Sequence, residues 1–180
     1  MKWPPFIFDG QSYSLDHLED RIYHVEDSKK VQRKVLVVFS DHCFTRSRAP
    51  EDDETLWWSS TTREDGTFCF DRYTLSKSIV EHLEMAFDGE SWIVDGENFA
   101  ILPSVDHQGQ RFFYGVFFSL EKAKSKGSKG LIMFIRSAYH FIEPPATYGC
   151  TRYRHLLTLR IEGKTPLKTH AANRKRPKLT

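Results

Sequence analysis

The chain has 180 residues, 39% of them hydrophobic and 14% aromatic, enough apolar surface for one packed core and too much for a wholly disordered protein despite 28% charged residues. No apolar run approaches the roughly 20 residues of a membrane span, and no signal-peptide segment follows Met1-Lys2-Trp3-Pro4-Pro5, so a cytoplasmic protein without membrane contact is expected. The formal net charge of +2 hides an asymmetry, because residues 163–180 carry six Lys or Arg and no acid, which leaves 20 basic against 24 acidic residues before them. The expected organisation is one α+β domain over residues 1–162 and a basic, disordered tail over residues 163–180.

In chain order, Phe6-Ile7-Phe8 reads as a short extended segment turned by Asp9-Gly10, with a brief helix beginning at Ser14. Val35-Leu36-Val37-Val38-Phe39 is too apolar for an exposed edge and predicts a buried strand. A polar stretch over residues 47–66 contains Leu56-Trp57-Trp58, read as part of an exposed hairpin arm. Leu75, Ile79, Leu83 and Ala86 recur at helical spacing and predict the main helix, which stops at Gly89. Residues 92–94, 99–102, 111–120 and 131–142 then alternate with turns, as antiparallel strands do. Residues 153–161 read as a helical turn followed by a strand. The predicted fold class is α+β, an antiparallel sheet of four or more strands with one main helix packed on a face.

Three groups of residues carry candidate chemistry. In the first, the buried strand delivers His42 and Arg46 onto a loop, and Arg72 and Tyr73 stand at the start of the main helix. An imidazole, a phenol and two guanidiniums held by rigid elements suit proton transfer and phosphate binding. In the second, Arg136, Tyr139 and His140 lie on the last long strand. Period-two alternation there places Arg136 and His140 on one face and Ser137 and Tyr139 on the other. The third group is the tail, where Lys168, Arg174, Lys175, Arg176 and Lys178 suit salt-sensitive phosphate contacts. Each group also has a structural reading, as a packing corner, a cross-strand ion pair and a solvated terminus respectively.

Cys43, Cys69 and Cys150 lack the spacing of a disulfide framework or a zinc knuckle, and neighbours such as His42 and Cys43 face opposite ways, so no metal and no cofactor is expected. There is no glycine-rich phosphate loop and no HExxH, GxSxG or CxxC motif, which disfavours nucleotide-dependent enzymes, zincins and α/β-hydrolases.

Several segments together resemble a known family: Phe6-x-Phe8-Asp9-Gly10, Phe39-Ser40-Asp41-His42-Cys43-Phe44-Thr45-Arg46, Arg72-Tyr73-x-Leu75-Ser76 and Ser137-Ala138-Tyr139. The resemblance is to a bacterial family associated with mobile elements and described as stationary-phase growth adaptation or heat-shock-like proteins. The succession of a helix and antiparallel strands is similar, at the level of fold, to RelE/barnase-type ribonuclease toxins, which implies a RelE/barnase-like C-terminal half. These likenesses imply an RNA-directed accessory protein of bacterial mobile DNA, with a metal-independent endoribonuclease of toxin type as its enzymatic form. The alternative is a noncatalytic, stress-related regulatory or interaction protein. Its ligand would be nucleic acid or a protein partner, antitoxin-like or from the host, held by the Trp57-Trp58 arm and the basic tail.

Overall fold

The structure, a computed structural model, describes residues 2–59, 66–94, 98–107, 109–123, 130–143, 145–168 and 177. Its N-terminal strands β1 (Phe6–Phe8) and β2 (Gln11–Tyr13) form a hairpin whose turn residues, Asp9 and Gly10, both take positive φ, as a tight hairpin with the right twist requires. Then come β3 (Arg21–Glu26), β4 (Gln32–Phe39), a 3-10 turn at Asp41–Cys43 and the short strands β5 (Thr45–Ser47), β6 (Trp57–Trp58) and β7 (Gly66–Phe68). Helices α1 (Phe70–Ser76) and α2 (Ile79–Ala86) lead into β8 (Glu90–Ile93), β9 (Phe99–Ile101), β10 (Ser104–His107), β11 (Gln110–Lys122) and β12 (Leu131–Phe141). The last elements are β13 (Cys150–Arg152) and α3 (Tyr153–Ile161).

Eight strands make the main sheet in the order β13-β8-β9-β11-β12-β4-β3, with β10 also paired to β11. The expected buried strand is β4, whose Val35, Val37 and Phe39 are fully enclosed. The sheet is not wholly antiparallel, however, because β4 runs parallel to β12, from Val35 beside Leu131 to Phe39 beside Ile135. A strand as apolar as β4 needs neighbours on both sides, and the long excursion through residues 40–130 returns the chain to it in the same direction.

The expected single helix is two. Ser78 donates its hydroxyl to the Leu75 carbonyl (2.8 Å) and its backbone N–H to the same oxygen (3.1 Å), so the helix tightens there and restarts as α2. The apolar stripe survives the break, and Leu75, Ile79, Leu83 and Ala86 are all buried. Residues 153–161 contain no strand and are helical throughout as α3, which follows the short strand β13 and seats Tyr153, Leu156 and Leu157 in the core.

The helices α2 and α3 lie on one face of the sheet. Tyr153 reaches the Met133 sulfur at 3.5 Å and packs on Phe118, Phe87 meets Tyr23, and His82 meets the Tyr114 ring. The same apolar core continues through Trp3, Phe6, Phe44, Trp58 and Phe68 between the hairpin and the β5-β7-β6 sheet, where Phe6 stacks on Phe68 at 4.0 Å. The tryptophan arm is therefore not an exposed arm. Trp58 is 7% exposed in this cluster, while Trp57 is 41% exposed beneath the Arg48 guanidinium. Among the described residues no helix is long and apolar enough to cross a membrane.

Candidate functional site

The residues of the first group turn inward to hold a corner together. Arg72 donates from Nη1 to the backbone oxygens of Thr45 (2.6 Å) and His42 (3.2 Å), clamping the 3-10 turn and the strand that follows it. Arg46 binds both oxygens of Asp52, which also accepts from the Ala49 N–H (2.8 Å) and the Thr67 hydroxyl (2.6 Å). The Arg46 guanidinium first, then those two donors, hold the Asp52 carboxyl down at about 2. Tyr73 is buried between Tyr13 and Phe68, its ring covered by the Lys77 ammonium at 4.6 Å. His42 is half-buried in the turn, next to Cys43, whose thiol is pushed up to about 12 by burial and by nearby Asp41. Such a thiol is no nucleophile at neutral pH.

The second group is rearranged by one residue. In β12, Ile135 stands opposite Phe118 but Ser137 stands opposite Phe117, so Arg136 is an extra residue in a β-bulge. Every side chain after a bulge changes face relative to simple alternation. Ala138 consequently enters the helix-covered core and Tyr139 joins the opposite face. His140 turns to the helix side, opposite Tyr114 and 5.0 Å from the Phe112 ring. The expectation that Arg136 and His140 share a face is thus corrected: Arg136 shares its face with Tyr139. That expectation failed because alternation counts residues, whereas the pleat counts paired residues.

On this opposite face Tyr139 stacks on Phe117 (5.1 Å between centroids, 20° between planes) and meets Phe141 at 5.8 Å, Phe141 stacks on the buried Phe113 at 5.9 Å, and Phe117 packs against the buried Trp92, Val94 and Ala100. Phe117, Tyr139 and Phe141 are all half-buried and Arg136 is exposed. Next to them β12 no longer has β4 as a neighbour. The 3-10 turn takes that place, with Ser40 donating its hydroxyl to the Arg136 carbonyl at 2.5 Å. This brings Arg72, the clamp of the turn, over the Tyr139 ring at 5.1 Å. The two sequence-derived groups therefore meet at Arg72 and Tyr139, with His42 joined only through its backbone and His140 facing away.

Sequence reasoning did not single out Phe117 and Phe141. Phe117 sits in an apolar run where neither face is distinguishable without the strand's phase. Of the tail candidates, Lys168 places its ammonium 4.6 Å over the Tyr148 ring, and Arg174, Lys175, Arg176 and Lys178 lie outside the described residues. Among the described residues, no three His, Cys, Asp or Glu side chains gather as a metal site would require.

A family model described as the YjaZ family matches residues 5–161. The chain belongs to the YjaZ family. It is 27% identical over 151 residues to Protein YjaZ of Escherichia coli (strain K12), an alignment that covers 79% of this chain and 82% of that protein. No solved structure matches. The family match corrects the resemblance drawn from the motifs. The matched span contains all of those segments and fits YjaZ, not a mobile-element stationary-phase family. The likeness to RelE/barnase-type toxins is withdrawn as well, since a helix followed by antiparallel strands is shared by many unrelated folds and no solved structure supports it here.

Proposed function

We propose that this protein binds single-stranded nucleic acid, RNA above all, on the open face of its main sheet and does so without cleaving it. The observation that carries this reading is the aromatic row Phe117, Tyr139 and Phe141 set beside Arg136 at the bulge and Arg72 over the Tyr139 ring. Splayed bases stack on aromatic rings laid across a sheet, and arginines beside them meet the phosphates or stack in turn. Stacking tolerates any base, so the expected binding has weak sequence preference.

A noncatalytic role is favoured over strand cleavage by how the candidate acids and bases are engaged. Arg46 is occupied by Asp52, Tyr73 is enclosed among aromatic rings, and His140 faces away from the row. Cleavage needs proton-transfer groups within hydrogen-bond reach of one reacting centre. The acidic balance of the residues before the tail fits an affinity that comes from stacking more than from charge.

The test is fluorescence anisotropy with a labelled oligouridylate of about 12 nucleotides, within the span such surfaces cover. The Tyr139→Ala variant is expected to bind about fivefold more weakly or worse, the lower end of what one stacked base contributes. Equal affinity in a folded Tyr139→Ala protein, or no binding by the wild type, refutes the reading. Release of shortened product from the wild type would restore the catalytic alternative.

A further inference from the structure

The far end of β11 is built differently from the aromatic row, although the two share Arg136. Among the described residues β9 pairs with β11 from Val116 to Phe118, and no strand is paired to the same edge from Ser119 to Lys122. A cavity of about 410 Å³ lies along this edge, within the range that holds small ligands. Among the described residues of its lining, Arg136 and Lys122 stand together with Arg160 of α3, and the one acid is Glu121. Among these described residues the cations exceed the acid by two, which favours an anionic guest.

Arg160 also lines a second cavity of about 280 Å³, whose other walls are Ile93, Phe99, Thr165, Pro166, Leu167 and Lys168. Its guanidinium lies 5.2 Å from the Phe99 ring, so a single charged group stands between a polar chamber and a mainly apolar one. Leu167 on the rim of the second is 91% exposed. An aliphatic side chain so bare, beside an apolar cavity, suits a guest that supplies its own hydrocarbon. The end of α3 does not oppose an anion with bare carbonyls. Gly163, at φ +72, turns its N–H onto the Arg160 oxygen (3.2 Å), and the Lys164 N–H meets the Leu159 oxygen (2.8 Å).

We infer that these two cavities form one site for a small amphipathic anion, its acidic head among Arg136, Arg160 and Lys122 and its apolar body between Phe99, Pro166 and Leu167. A carboxylate on an alkyl or aryl body has this chemistry, whether free in solution or as part of a lipid. A guanidinium contact to the head gives direction and the hydrocarbon contact gives affinity.

Calorimetric titration of the full chain with decanoate below its micellar concentration tests the site, with decan-1-ol, decylammonium and acetate as comparisons. The expected result is one equivalent of decanoate bound, clearly tighter than any of the three. Arg160→Gln is expected to weaken decanoate about tenfold, the worth of one charge-assisted hydrogen bond. Leu167→Asp, at a position too exposed to affect folding, is expected to weaken it as well. Oligouridylate binding by both variants should match the wild type, which separates this site from the aromatic row. Equal binding of decanoate and decylammonium, or unchanged decanoate affinity in both variants, overturns the inference. Flotation of the protein with phosphatidylglycerol vesicles in the absence of any decanoate binding overturns it too, because the surface would then be reading a bilayer and not enclosing a ligand.

Discussion

At the scale of single residues, the groups that look most reactive in the sequence are those the fold spends on itself. Arg72 and Arg46 flank a strand end, where reactive groups often stand, yet one clamps two carbonyls and the other is paired with Asp52. The position of both on a rigid corner was legible, whereas the direction of each guanidinium depends on partners distant in the chain. Asp52 gives this corner a pH signature. Its carboxyl is held near 2 in the folded protein against an ordinary 3.8, so its contribution to stability is complete above about pH 4 and is lost as the pH falls towards 2. The Asp52→Asn variant is expected to melt at a lower temperature than the wild type at pH 6, with the gap closing between pH 4 and 2. Thermal melting followed by circular dichroism checks this, and a constant gap across that window would show that the charge is not what stabilises the corner.

At the scale of elements, what can be read from the sequence is whatever depends on local periodicity. The apolar run of β4 and the stripe Leu75, Ile79, Leu83 and Ala86 were both legible, and all four stripe residues are buried as expected. The break at Ser78 depends on one hydroxyl competing for one carbonyl. The parallel pairing of β4 with β12 depends on chain return over some 90 residues, which no local pattern encodes. The bulge at Arg136 was the costliest to miss, because it moves Tyr139 across the sheet and brings the aromatic row into being. Gly115, opposite Tyr139, keeps that row flat. A Cβ there would stand 2.4 Å from Phe141 Cε1 and 2.8 Å from Phe117 Cε2, so both rings must swing away. The Gly115→Ala variant should lose about 1–3 kcal/mol in urea denaturation, the usual effect of overpacking. It should also weaken oligouridylate binding in anisotropy measurements, although the glycine itself has no side chain to contact RNA. Unimpaired binding would mean that the row is not the contact surface.

At the scale of the whole molecule, α2 and α3 seal one face of an eight-stranded mixed sheet, and the other presents aromatic rings and an arginine. The charge asymmetry visible in the composition offers a competing account, in which residues 163–180 hold RNA by charge alone. The two accounts place the ligand on different parts of the chain. Photo-crosslinking of the intact protein to 4-thiouridine RNA, followed by peptide mass spectrometry, locates it directly. Adducts are expected on the peptides of β11 and β12 that carry Phe117, Tyr139 and Phe141, and they should persist when salt is raised. Adducts confined to the tail, or lost as soon as salt rises, would contradict the assignment of the open sheet face as the RNA-binding surface.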